Sequence, residues 1–291
     1  MAEAGSSLSV SKLIDGVARV DLRVRDVDAS LAFYRDVVGL EPAERSNSRA
    51  TLRGPGGPEI VALASDGVDS PARRNSTGLF HTAFRYATRP SLGVALGRLV
   101  DRGIEVGAGD HGVSEALYID DPDGNGIELY WDRPRDVWPD PAPGQRVGMY
   151  TAPVDLQSLL ADGRGADPED ASPIVIGHVH FQVRSVEETV AFYGDHLGLD
   201  VMARMGSSAV FLASNGYHHH IGANTWNSRG AEPAPRNHAG LDRAVFDAPV
   251  EEIEQARARL DTNNFSGDVG EDLVTMDPSG IELCFRSSDA G

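Results

Sequence analysis

The chain has 291 residues, 41% of them hydrophobic, enough for one large or two medium domains with an ample core. Its 44 Asp and Glu against 26 Lys and Arg give a formal charge of -18. That surface repels nucleic-acid phosphate and anionic membranes, so both are discounted and a small-molecule partner is expected. Lys12 is the only lysine, a pattern that a salt-rich cytoplasm favours. One cysteine, Cys284, leaves no intrachain disulfide to form, and no apolar run is long enough to span a membrane. The first residues lack a charged-then-apolar signal pattern, so a cytoplasmic location is the expectation. A monomer is feasible and an oligomer is left open.

Residues 1–14 read as a flexible leader. Residues 17–24 alternate apolar and polar, as a half-buried strand does. Asp28 is expected to cap a helix over 29–38, and Gly39 to end it in a left-handed conformation. Short strands are expected at 50–53 and 59–64, on either side of Gly54-Pro55-Gly56-Gly57-Pro58. A second unit follows: strand 79–86, helix 91–102, then strands 112–119 and 127–131 around the turn Asp121-Pro122-Asp123-Gly124-Asn125-Gly126. Between 134 and 173 proline, glycine and aspartate break the periodicity and mark a linker, with a short helix at 156–160.

The opening pattern then returns. A strand is expected at 174–183 and a helix at 186–197. Ala191-Phe192-Tyr193 repeats Ala32-Phe33-Tyr34, and Gly198-Leu199-Asp200 repeats Gly39-Leu40-Glu41 at the same spacing. A last unit runs through strand 239–246, helix 249–261 and strands 272–276 and 281–285, with Asp277-Pro278-Ser279-Gly280 echoing the turn at Asp121. The repeat implies an α+β protein of four βαβββ modules in two pairs, each pair a curved mixed sheet around a pocket. The expected division is an N-terminal domain at 15–133, a linker at 134–173 and a C-terminal domain at 174–287.

Within the third module, Tyr217-His218-His219-His220-Ile221-Gly222 places three histidines in a row. Neutral imidazole is the commonest protein metal ligand. Read as a strand, the run turns His218 and His220 to one face and His219 to the other.

The Phe-Tyr helix, the Gly-Leu-Asp/Glu that follows it and the Asp-Pro-x-Gly…Ile-Glu-Leu endings resemble the vicinal oxygen chelate superfamily. That superfamily includes glyoxalase I, bleomycin-resistance proteins and extradiol dioxygenases. Four modules with Gly-Tyr-His-His-His-Ile-Gly-x-Asn-Thr-Trp in the third look most like its catechol 2,3-dioxygenase-like branch. The resemblance implies metal ligands on the first and last strand of a module. Carried over residue by residue, these positions fall on His178, His220, Arg243 and Glu282 in the C-terminal half, and on Arg19, Val61, His81 and Glu128 in the N-terminal half.

His178, His220 and Glu282 form a two-imidazole, one-carboxylate set of the kind non-haem Fe(II) oxygenases use, and are the expected metal ligands. His81 and Glu128 are the alternative, and His180 is a rival to His178. His218 and Tyr217 are candidate acid-base or hydrogen-bonding groups, and Arg243 a candidate contact for an anionic substrate oxygen. The implied activity is metal-dependent extradiol ring cleavage of a catecholic substrate, with Fe(II) as the expected ion. A glyoxalase-type isomerase or lyase using Zn, Mn, Ni or Co is the alternative. A metal-free binding or resistance protein, with Arg19 and Arg243 in ligand positions, is the third.

Overall fold

A computed structural model describes residues 10–166, 173–262, 268–269 and 272–288. Residues 1–9 of the leader and 167–172 of the linker lie outside them. The described end of the leader is not loose. Leu13 and Ile14 are buried, and the Ile14 N–H donates to Ser214 Oγ at 3.0 Å.

Four modules are present. The first comprises β1 (Gly16–Arg23), α1 (Val27–Phe33), β2 (Glu41–Arg45), β3 (Arg49–Arg53) and β4 (Glu59–Ala64). The second comprises β5 (Gly78–Tyr86), α2 (Arg89–Asp101), β6 (Gly107–Asp110), β7 (Ser114–Asp120) and β8 (Gly126–Asp132). The linker carries α3 (Leu156–Arg164). The third module comprises β9 (Ile174–Gln182), α4 (Val186–Val190), β10 (Asp200–Met205), β11 (Ala209–Ala213) and β12 (Ile221–Asn224). The fourth comprises β13 (Gly240–Ala248), α5 (Val250–Thr262), β14 (Asp268–Val269), β15 (Asp272–Met276) and β16 (Glu282–Ser287). In every module the last strand returns parallel to the first.

Asp26, not Asp28, caps α1, because its carboxylate accepts from the N–H groups of Asp28 and Ala29. A turn of π-helix, Tyr34–Val38, follows and ends at Gly39 with φ 94°, a conformation that glycine adopts without steric cost. The Phe-Tyr repeat is a structural device. Tyr34 donates to the buried Asp121 at 3.2 Å, and Tyr193 donates to the buried Asp277 at 3.1 Å. Arg98 caps the carbonyls of Val37 and Val38, and Arg259 those of His196 and Leu197. These contacts dock the first module on the second and the third on the fourth.

The sheets join differently. β5 pairs antiparallel with β9 from Gly78↔Gln182 to Tyr86↔Ile174, and β1 pairs with β13 from Gly16↔Asp247 to Arg23↔Gly240. The pairs that enclose pockets are therefore the second module with the third, and the first with the fourth. The halves 15–133 and 174–287 meet across both seams instead of each closing on itself. The reason is geometric. Each first strand gives one edge to its own last strand and keeps one edge free, and a sequence repeat does not say which partner takes it.

The sheet of the middle pair runs β6-β7-β8-β5-β9-β12-β11-β10. Its two outer strands are bridged by the linker. Ala152 exchanges hydrogen bonds of 2.8 and 2.9 Å with Asp110 on β6, and the N–H groups of Arg146 and Val147 donate to the Met202 carbonyl on β10 at 2.8 and 3.3 Å. The sheet becomes a closed cup.

Candidate metal centre

The register of the strands decides which side chains meet. His81 stands two residues before Ala83, which pairs with Glu128 across β5 and β8. In the third module His178 stands two before His180, which pairs with Gly222. In the first, Arg19 stands two before Asp21, which pairs with Ala62, and in the fourth Arg243 stands two before Val245, which pairs with Cys284. The middle seam therefore gathers His81, Glu128, His178 and Gly222. The outer seam gathers Arg19, Ala62, Arg243 and Cys284. The first set offers two imidazoles and a carboxylate, whereas the outer set offers a single thiol beside two guanidiniums.

The register differs from sequence matching at three of these positions, with Ala62 in place of Val61, Gly222 in place of His220 and Cys284 in place of Glu282. The turns at Asp121 and Asp277 are superimposable by their hydrogen bonds. Asp121 Oδ1 accepts from Asp123 and Asn125, and Asp277 Oδ1 accepts from Ser279 and Ile281. Gly126 then corresponds to Glu282, and Glu128 to Cys284: both strands start five residues after the aspartate, but Ile-Glu-Leu starts six residues after it in the second module and four after it in the fourth. The shared Ile-Glu-Leu is thus out of step by two. Glu282 is taken up by Arg243 Nε at 2.6 Å, as Asp21 is by Arg19 Nε at 2.6 Å.

His220 was assigned on the premise that the histidine run is a strand. It is a turn: Asn215 and Gly216 have φ 54° and 64°, and β12 begins only at Ile221. His220 Nδ1 accepts from the Ser214 N–H at 3.2 Å, and its ring lies against Tyr217. Among the described residues His178, His220 and Glu282 do not converge on one point.

His81, Glu128 and His178 do. Each offers one ligand atom, and these atoms all lie within 4.8 Å of one another. All three are buried. His81 Nε2 is 3.0 Å from Glu128 Oε2 but is not aligned as a hydrogen bond, so this buried nitrogen has no hydrogen-bonding partner. His178 Nε2 approaches the same oxygen at 3.3 Å.

Burial pulls His178 down to about 4 against the attraction of Glu128. Burial alone would raise Glu128, but His178 and His81 outweigh it and hold the carboxyl well below its ordinary range. At neutral pH His178 is neutral beside an ionised carboxylate. Those are the protonation states a divalent cation requires. Two imidazoles and one carboxylate fit such an ion and leave coordination positions open.

His81 and Glu128 line a cavity of about 620 Å³, and His178 packs against His219, another of its lining residues. Phe80 and Phe211 wall the cavity from the strands, Trp226 from the turn after β12, and Val147 and Met149 from the linker. His180 lines it too. Its Nε2 has no hydrogen-bond partner, and burial with the adjacent imidazoles keeps it neutral. His219, which strand alternation turned away, also lines the cavity and packs on His178 with ring centroids 4.0 Å apart.

Behind it is a polar chain that sequence reasoning missed in part. His219 Nδ1 is 2.8 Å from His218 Nδ1, and His218 Nε2 is 2.8 Å from Asp132 Oδ1. Tyr217 donates to Asp132 Oδ2 at 2.8 Å and shares a 2.7 Å hydrogen bond with Tyr130. Asp132 carried no signal beyond being a charge at the end of a strand. His218 is fully buried and Tyr217 nearly so, while Arg243 lies at the other seam.

The Glyoxalase/Bleomycin resistance protein/Dioxygenase superfamily model matches residues 16–129 and 175–285. A "Catechol-2,3-dioxygenase" of Bacillus subtilis (strain 168) is 42% identical over 272 residues, covering 91% of this chain and 94% of that protein. A "Biphenyl-2,3-diol 1,2-dioxygenase 3" of Rhodococcus globerulus is 34% identical over 119 residues, 40% of this chain and 63% of that one. A solved structure of glyoxalase I from Zea mays shares the fold, with TM-score 0.54 at 14% identity, covering 93% of this chain and 91% of that one. From the two matched segments and the long relative, the chain belongs to the glyoxalase/bleomycin resistance protein/dioxygenase superfamily.

Proposed function

We propose that this protein is an extradiol-type dioxygenase that cleaves the ring of a catecholic substrate, using Fe(II) held by His81, Glu128 and His178. The observation that carries this reading is the convergence of two imidazoles and one carboxylate, two of which, His81 and Glu128, line a largely apolar cavity. The 42% identity to a catechol-2,3-dioxygenase supports it. When bound, the ion supplies a redox centre with coordination positions left over by its three protein ligands. In the net reaction the carbon–carbon bond beside the diol breaks and both atoms of O2 enter the product, so no external reductant is needed.

The residues of this chain do the rest. The cavity walls exclude water and hold a flat ring. Asp132 can only accept, so His218 carries a proton on Nε2, and as a neutral ring it accepts on Nδ1. His219 Nδ1–H then donates to His218, which leaves His219 Nε2 as an acceptor toward the cavity. His219 is in place to take a proton from a substrate hydroxyl, the role sequence reasoning gave to His218.

The test is metal content and oxygen uptake after anaerobic Fe(II) loading. We expect about one ion per chain and catechol-dependent oxygen uptake. Glu128→Ala and His178→Ala are expected to lose the ion and at least about 100-fold in kcat/KM. His220→Ala and Glu282→Gln are expected to keep it. Retention of Zn, Ni, Mn or Co with no oxygen uptake on any catechol would move the reading to Lewis-acid chemistry.

A further inference from the structure

The linker does more than connect the modules. It is bonded to both outer strands of the middle sheet, β6 and β10, and lies across the mouth of the cup. The outer pair has a sheet of the same construction, β2-β3-β4-β1-β13-β16-β15-β14, with no such segment between its ends among the described residues. The segment covers the half that holds the metal ligands. Its attachment is specific on both sides. Gln145 exchanges side-chain hydrogen bonds with the backbone of Arg204, Arg146 pairs with Asp200 at 2.9 Å, and the His111 ring and backbone bond to Tyr150.

This segment also sets the character of the far wall. Val147 is buried in a cluster with Val113, Met202, Ala203 and Tyr217, and Met149 packs on that cluster with Phe211. A cavity of about 620 Å³ is in the size class that encloses a whole drug-sized ligand, far more than one diol-bearing ring fills. The diol must sit at His81, Glu128 and His178. The remaining volume lies against an apolar wall supplied by the linker.

We propose that the linker, through Met149 and Val147, is the specificity element of this site, and that the preferred substrate is a catechol bearing a bulky uncharged aryl or alkyl substituent. This rests on the ring-cleavage reading above. The lining includes one guanidinium, the exposed Arg204, but a carboxylate pressed against Val147, Met149 and Phe211 would still lose its hydration to an apolar surface, which is costly. An aryl group there replaces water with dispersion contacts and buried apolar area.

The experiment uses the full-length protein with two readouts. Oxygen uptake by the Fe(II)-loaded protein gives kcat/KM for catechol, 2,3-dihydroxybiphenyl and 3,4-dihydroxyphenylacetate. Isothermal titration of 2,3-dihydroxybiphenyl into the metal-free protein gives its affinity without turnover. The expected result is a kcat/KM at least tenfold higher for the biaryl diol than for the other two. Met149→Trp, which fills the far wall, should reduce the biaryl-to-catechol ratio at least tenfold and weaken titrated binding by a similar factor. Met149→Ala should keep the ratio above one, and thermal unfolding of both variants checks that the linker is still seated. Equal kcat/KM for the biaryl and catechol, or a ratio that Met149→Trp does not move in a folded protein, would overturn the proposal. Absence of turnover of every catechol, with biaryl binding weakened by Met149→Trp, would instead overturn the ring-cleavage reading and leave the linker's role standing.

Discussion

At the scale of single residues, the hydrogen bonds of one carboxylate dictate what a histidine two partners away presents to the cavity. Asp132 fixes the tautomer of His218, and His218 that of His219. Replacing Asp132 by Ala frees His218 to turn its Nε2 lone pair outward and reverse the chain. The expected outcome is a kcat loss of roughly 10- to 100-fold, with KM changed less than about threefold and metal content retained. Steady-state kinetics with metal analysis would check this, and a proportional loss of bound metal would contradict it. His218 and His219 were visible in the sequence as a histidine run. Their division of labour was not, because it depends on the positive φ values of Asn215 and Gly216 that turn the run out of a strand.

At the scale of elements, close backbone approach fixes where glycine must stand. A Cβ on Gly177 in β9 would lie 1.7 Å from the hydroxyl oxygen of Tyr130 on β8. Gly177→Ala is expected to destabilise the protein by about 2 to 4 kcal/mol in urea unfolding, since the Tyr130–Tyr217 hydrogen bond must break for the methyl to fit. Adding Tyr130→Phe, which removes the offending oxygen, should recover part of that loss. A Gly177→Ala protein as stable as wild type would show that the seam yields freely.

The elements were also where the sequence was most legible. The Ala-Phe-Tyr helices, their glycine ends and the Asp-Pro turns repeat because each Tyr must reach a buried Asp in the next module. The register of the last strands was hidden. In the fourth module Ile-Glu-Leu starts two residues sooner after its aspartate than in the second, so the motif is readable in both places while its glutamate falls off the ligand position. Which modules share a seam was hidden too, because any free first-strand edge can pair with any other.

At the scale of the molecule, the buried imidazoles make stability depend on pH. His178 and His220 are pulled from 6.5 to about 4 and about 3 by burial, and burial also lowers His180 and His219. A lowered folded-state value means that the unfolded chain binds protons first, so this contribution is complete above pH 6.5 and is lost as pH falls toward 4. Asp277 acts in the opposite sense. Burial raises it from 3.8 to about 6, and its contribution shrinks as pH rises through that interval. Four imidazoles outweigh it. Metal-free protein should lose stability progressively from about pH 6.5 to pH 4 in denaturant titrations. A flat profile across that window would mean that the imidazoles are solvated.

The middle seam has a consequence for how the protein is made. Glu128 and His81 leave the ribosome well before His178, with the whole linker synthesised between them. Until β9 emerges and pairs with β5, the nascent chain holds only part of its ligand set, and an ion bound at that stage has no third protein donor. The centre is completed by the same strand pairing that joins the two halves, a contact of large sequence separation and therefore slow to form. Metal acquisition is thereby tied to completion of the chain, and a molecule that has stopped short of the third module cannot assemble the two-histidine, one-carboxylate centre.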